Sequence, residues 1–132
     1  MVIGGAGYVG SHTVRKLVRS GHEVVVYDNL SRGHRPSVPE GIFVKGELSD
    51  REALQRVLVQ YGIDAVMHFA AYALVGESVR LPELYYRNNF VGSLNLLEAM
   101  VNCDVKRLVF SSTCATAATE ARASPRKPMV RI

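Results

Sequence analysis

The stretch Gly4-Gly5-Ala6-Gly7-Tyr8-Val9-Gly10 sets glycines at positions 4, 7 and 10, and the chemistry that suits this spacing is the cradling of a pyrophosphate. One glycine permits a tight turn and a second lets the backbone approach the phosphates. A third lets the following helix pack against its strand while its first amides face the negative charge. Alone the pattern is unspecific, because glycine-rich turns occur in many loops. Asp28 supplies a second component. It closes the run EVVVYD, 18 residues past Gly10, where a carboxylate either accepts hydrogen bonds from an adenosine ribose or caps the turn that follows. A ribose-facing Asp28 repels a 2′-phosphate and so favours NAD over NADP, while Arg32 and Arg35 bring nearby charge of the opposite preference.

These groups act together only if regular elements hold them. Met1-Val2-Ile3 leaves room for a very short first strand. After the glycines, Gly10, Val14, Leu17 and Val18 fall at i, i+4, i+7 and i+8, the stripe of a helix packed on one face, with Gly21 just past its end. EVVVYD is an unbroken, β-branched run, which implies a strand buried on both faces. GHRPSVPEG reads as a loop, IFVKG as a third strand, and DREALQRVLVQYG as a helix capped by Asp50 and ended by Gly62. DAVMHFA and KRLVFSS read as the fourth and fifth strands. Between them Pro82 opens a long helix in which Leu94, Leu97, Glu98 and Val101 keep helical spacing. The alternation predicts an α/β fold: a doubly wound, Rossmann-like parallel sheet in the strand order 3-2-1-4-5, with a crevice between strands 1 and 4.

Composition narrows the function classes. The 132 residues carry a formal charge of +4, but 12 Lys/Arg face 11 Asp/Glu in residues 1–116 and the excess sits in the last 16. The body has no basic face, so no nucleic-acid partner is expected. Cys103 and Cys114 lack metal-ligand spacing, so no metal site or disulfide framework is expected. The longest mostly apolar stretch, AVMHFAAYALVG, is interrupted by His68 and is too short for a membrane span. A cytoplasmic protein without a membrane partner is the expectation. His68 itself reads as a hydrogen-bonded core histidine.

In this order and spacing, GGAGYVGSH, DNLSRG, HFAAYALVGESV, YYRNNFVGSLNLLEAM and KRLVFSSTCAT resemble the N-terminal part of the UDP-glucose 4-epimerases, which are extended short-chain dehydrogenase/reductases. The resemblance covers about residues 1–116. It implies an isomerase that uses tightly bound NAD to oxidise C4 of a UDP-hexose and reduce it again from the other face, and it implies membership of a family whose members are often homodimers. Carried over residue by residue, it lays Gly4, Gly7, Tyr8, Val9 and Gly10 against the pyrophosphate. Asp28, Asn29, Leu30, Ser31, Arg32 and Gly33 would bind the adenosine, with Glu47 and Leu48 beside the adenine. Phe69, Ala70, Ala71 and Tyr72 would line the cofactor past the fourth strand, Asn88 would fix backbone near the nicotinamide ribose, and Thr113 would be the catalytic hydroxyl.

The chain departs from the family pattern at Ile3, where a Thr is usual, at Glu47 in place of Asp, and at Ala73 in place of Lys. The resemblance also stops after SSTCAT, and residues 117–132 show no strand or helix period, so an irregular tail is expected. The family's proton acceptor is a tyrosine with a lysine four residues on. Here the residues four beyond the tyrosines are His12, Ser31, Ala65, Gly76, Asn89 and Phe90. The sequence is therefore expected to be an N-terminal part without turnover of its own. A non-catalytic NAD(H)-binding domain and a related nucleotide-sugar epimerase or dehydratase remain open as alternatives.

Overall fold

The computed structural model describes residues 1–38 and 42–112. The elements follow the chain as β1 (Val2–Ile3), α1 (Tyr8–Arg19), β2 (Val25–Asp28), a 3-10 turn (Arg35–Ser37), β3 (Ile42–Lys45), α2 (Arg51–Gln60), β4 (Ala65–His68), α3 (Val75–Arg80), α4 (Pro82–Tyr85), α5 (Gly92–Asn102) and β5 (Arg107–Phe110). The described strands form one parallel sheet in the order β3-β2-β1-β4-β5, as the sequence predicts.

A two-residue strand is stable at the centre because both neighbours pair with it. Val2 and Ile3 face Val26 and Tyr27 on one side and Met67 and His68 on the other. The ladder continues past its ends, with the Gly4 amide donating to Tyr27 O and the Phe69 amide to Ile3 O, each at 2.9 Å. Side chains alternate across the pleat. Ile3, Tyr27 and Val66 join Leu54 and Leu58 of α2 and Leu96, Ala99 and Met100 of α5 in the larger core cluster. Val2 and Val26 meet Ala6 and Val14 of the α1 side. All four residues of β2 are buried, as a strand covered on both faces must be.

The helix ends follow local chemistry. Asp50 caps α2, its Oδ1 accepting from the Ala53 amide at 2.8 Å. Gly21 ends α1 at φ +83°, and the Gly21 and His22 amides donate back to Val18 O and Leu17 O. Gly62 does the same for α2, with the Gly62 and Ile63 amides on Val59 O and Leu58 O.

The expectation of one continuous helix after Pro82 is corrected. The segment opened by Pro82 is interrupted by a π-helical turn over Tyr86–Val91 between α4 and α5. The buried face of α5 is Leu96, Ala99 and Met100, whereas Leu94, Leu97 and Val101 are 45%, 44% and 78% exposed. Both sets have i, i+3, i+4-type spacing, so periodicity does not choose between them, and the extra residue of the π turn rotates α5 relative to what precedes it. The short helix α3 was not expected, and Val18 of the α1 stripe is half-exposed. Among the described residues, no helix is long and apolar enough to cross a membrane.

Candidate functional site

At the carboxyl ends of β1, β2 and β4 the loops part to leave a cleft. Its wall includes Gly4, Gly7, Asp28, Asn29, Ser31, Arg32, Gly33, Leu48, Phe69, Ala70, Ala71, Tyr72 and Asn88, all expected from the sequence, together with Ile3, Tyr27 and Gly46. Of the other expected residues, Tyr8, Val9 and Gly10 form the first turn of α1, Leu30 packs on the α1-side core, and Glu47 is exposed, its carboxylate accepting from Asn29 Nδ2 at 2.9 Å. Thr113 lies outside the described residues, as does the segment 117–132.

The glycine loop has the contacts its spacing demands. Gly4 is at φ +74°, and a Cβ there would lie 2.6 Å from Ala70 N, so the loop runs directly against the end of β4. A Cβ on Gly10 would run into Gly4 O and lie 2.8 Å from Gly5 Cα, so α1 seats on the loop only because that side chain is missing. Gly7 occupies the N-cap of α1 with no side-chain cap, and no acidic residue stands in the first turn. The amides of Tyr8, Val9 and Gly10 have no acceptor among the described residues, as expected for an uncapped helix start. Tyr8 and Val9 are themselves exposed, so they offer backbone rather than a buried side chain.

Asp28 is buried at the tip of β2 and performs the turn-capping role. Its Oδ2 accepts from the Ala6 amide at 2.9 Å, tying the glycine loop to β2, and its Oδ1 accepts from the Leu30 amide at 2.8 Å. That second bond holds Leu30 at φ +63°, a left-handed conformation a branched apolar residue rarely adopts. Each oxygen keeps acceptor capacity toward the cleft. Gly33 completes the joint: a Cβ there would lie 2.8 Å from Ala6 Cβ, and the His34 amide donates to Ala6 O.

The other wall is organised by Asn89, which sequence reasoning did not select. The Tyr72 amide donates to Asn89 Oδ1 at 2.8 Å, and Asn89 Nδ2 donates to Tyr72 O at 2.9 Å. The backbone-fixing role assigned to Asn88 therefore falls on Asn89, while Asn88 lines the cleft and donates to Asn89 Oδ1 at 2.8 Å. The adjacent asparagines in YYRNNF are the signal, and only the π turn decides which one faces Tyr72.

Beneath this wall His68 is 2% exposed. Ser93 donates to Asn89 O at 2.6 Å, so its oxygen is left to accept from His68 Nε2 at 2.9 Å. The ring proton then sits on Nε2, and Nδ1 is buried without a partner among the described residues. Burial pushes the His68 pKa down to about 4, so the ring is neutral at neutral pH. At the outer rim Arg32 Nη2 meets Glu77 Oε2 at 2.6 Å, and that oxygen also accepts from the Tyr85 hydroxyl at 2.7 Å. These two donors, Arg32 first, hold the Glu77 carboxyl below the usual carboxylate range. Tyr27 sends its hydroxyl to Glu47 O at 3.0 Å, and burial foremost pushes its pKa up to about 12.

A central parallel strand that ends in a glycine turn, an open helix start and a carboxylate at the next strand's tip define the class of doubly wound α/β folds whose binding crevice lies at the strands' carboxyl ends. The chain belongs to the NAD dependent epimerase/dehydratase family, which matches residues 1–131. It is 53% identical over 117 residues to a UDP-glucose 4-epimerase of Lactobacillus helveticus, an alignment covering 88% of this chain and 36% of that protein. It is 49% identical over 116 residues to a UDP-glucose 4-epimerase of Rhizobium meliloti (strain 1021), covering 88% of this chain and 35% of that protein. Among solved structures it resembles a UDP-glucose 4-epimerase from Brucella ovis in complex with NAD, with a TM-score of 0.85 and 46% identity over 96% of this chain and 38% of that one. The chain thus spans little more than a third of the length of these relatives, and it matches their N-terminal part.

Proposed function

We propose that this chain binds NAD in the cleft and is the cofactor-binding part of a UDP-hexose 4-epimerase that interconverts UDP-glucose and UDP-galactose. The observation that carries the reading is the pairing, in one cleft, of the open α1 amides with the buried Asp28 carboxylate. The first set suits a pyrophosphate and the second suits ribose hydroxyls. The glycine cradle fits such a group because side chains at Gly4, Gly7 and Gly10 would meet backbone within 3.3 Å.

In this reading Tyr8, Val9 and Gly10 offer amide donors to the diphosphate, Asp28 accepts from the adenosine ribose, and Leu48 flanks the adenine. Phe69, Ala70, Ala71 and Tyr72 exclude water from the far end, where Asn89 keeps the backbone in place. Bound NAD would supply a hydride acceptor and donor at C4 of the sugar. Thr113 is the hydroxyl assigned to the sugar oxygen. No tyrosine of the sequence has the lysine four residues on that would make it the proton acceptor. General-base catalysis is worth about 10²–10⁴-fold, so residues 1–132 alone are expected to bind cofactor without turning over UDP-hexose.

The test is titration calorimetry of the purified chain with NAD and with NADP. NAD is expected to bind more tightly, and Asp28→Ala to narrow the difference. Equal affinity for the two, or no binding of either, refutes the reading.

A further inference from the structure

The cleft has two rims. One is the turn after β2, which carries Ser31 and Arg32; the other is the chain from Tyr72 into α3, which carries Glu77. They meet through Arg32 and Glu77, 45 residues apart in sequence and 2.6 Å apart in space. An ordinary surface ion pair contributes little, because two long side chains must be immobilised in water. Here both partners are already held. Glu77 Oε2 is fixed by the hydroxyl of Tyr85, which is 9% exposed; its single proton goes to Glu77 at 2.7 Å while its oxygen accepts from the Leu74 amide at 3.2 Å. The Arg32 guanidinium lies 5.0 Å from the centre of the Tyr72 ring, whose backbone is clamped by Asn89.

Arg32 stands four residues past Asp28, and among the described residues lining the cleft it is the only Lys or Arg. A ribose held at Asp28 that carried a 2′-phosphate would need a cation at its side, and an arginine just after the second strand is the group that accommodates one. A guanidinium suits that role because it can meet a phosphate with two parallel N–H donors. This guanidinium is committed elsewhere.

We propose that Glu77 is a specificity-determining residue for the dinucleotide, holding Arg32 across the cleft so that it does not serve a 2′-phosphate. The proposal rests on the reading of the cleft as an NAD site and adds a second carboxylate to Asp28 in the rejection of NADP. Glu77 acts through Arg32 and is a positioning residue. Its role is read from the ratio of the two affinities, which a loss of rim structure alone would not shift toward NADP.

The experiment measures NAD and NADP dissociation constants by calorimetry for the wild-type chain, Glu77→Gln, Arg32→Ala and the double variant. Glutamine keeps the shape and an acceptor for Tyr85 while removing the charge that holds Arg32. In E77Q the NADP-to-NAD ratio of dissociation constants is expected to fall about tenfold, the scale of one charge-assisted phosphate contact at a partly exposed site. The double variant is expected to lose that gain, whereas R32A alone should move the ratio less than about twofold because its cation is already engaged. An unchanged ratio in E77Q that still binds NAD overturns the proposal and leaves the NAD reading standing. A gain that survives in the double variant also overturns it, since it would be a long-range charge effect. If E77Q does not fold, the R32A arm decides: a ratio about tenfold worse for NADP would show that Arg32 already serves the phosphate. A wild-type chain that binds neither cofactor overturns both readings together.

Discussion

Replacing Asp28 by alanine is expected to destabilise the cofactor-free chain by about 3 kcal/mol, and the figure follows from its two hydrogen bonds. The Oδ2 bond serves the amide of Ala6, a residue only 2% exposed, so its loss strands a buried donor at a cost of about 1–3 kcal/mol. The Oδ1 bond serves the Leu30 amide, which is partly solvated; that loss is worth about 1 kcal/mol, offset in part by relief of the left-handed strain at Leu30. Asp28→Asn keeps one acceptor oxygen and turns an amide donor toward the other N–H, and about 2 kcal/mol is expected. Domains of this size are stable by roughly 5–15 kcal/mol, so both variants stay folded at 25 °C. Urea unfolding followed by circular dichroism, without cofactor, measures the loss as a lowered midpoint at constant slope. An alanine variant within about 0.5 kcal/mol of wild type would refute the reasoning, because the carboxylate would then not anchor the glycine loop.

Gly10→Ala places a methyl against the backbone of Gly4 and Gly5 and is expected to cost about 2 kcal/mol despite alanine's helix preference, whereas Gly76→Ala, with nothing within 4 Å, should be neutral or gain about 0.5 kcal/mol; parallel urea titrations compare them. His68 has its folded pKa lowered to about 4 from an ordinary 6.5. Below the unfolded value the unfolded state binds the extra proton, so the stabilisation is complete above pH 6.5 and declines as pH falls toward 4. Between pH 6.5 and 5 the wild type is expected to lose about 2 kcal/mol, and His68→Phe to flatten that slope; equal slopes in the two proteins would exclude His68 as the source.

How much of this was legible depends on whether a feature is local. EVVVYD, the Asp50 cap and the terminal Gly21 and Gly62 are each decided within a few residues, and each stands where the sequence put it. The strand order follows from right-handed crossovers once the elements alternate. The α5 face was ambiguous because two apolar sets share one helical period, and packing against α2 selects Leu96, Ala99 and Met100. Asp28 read first as a ribose acceptor, with turn-capping as the lesser alternative, and its two backbone donors show the capping role directly. Asn89, and the meeting of Arg32 with Glu77, depend on chain segments 17 and 45 residues away. No spacing rule reaches that far.

The central position of β1 has a kinetic corollary. Val2 and Ile3 obtain their partners from β2, more than twenty residues downstream, and from β4, where Met67 and His68 complete the ladder. A chain leaving the ribosome therefore carries its innermost strand for some sixty residues before the second partner exists, and the glycine turn attached to that strand cannot close against Ala70 until then. Such sequence-distant parallel pairings must bear loop-closure entropy before they gain any contact, which makes them slow and exposes apolar edges meanwhile. The loop that would receive the cofactor thus precedes both strands that position it and is among the last segments to take its final shape.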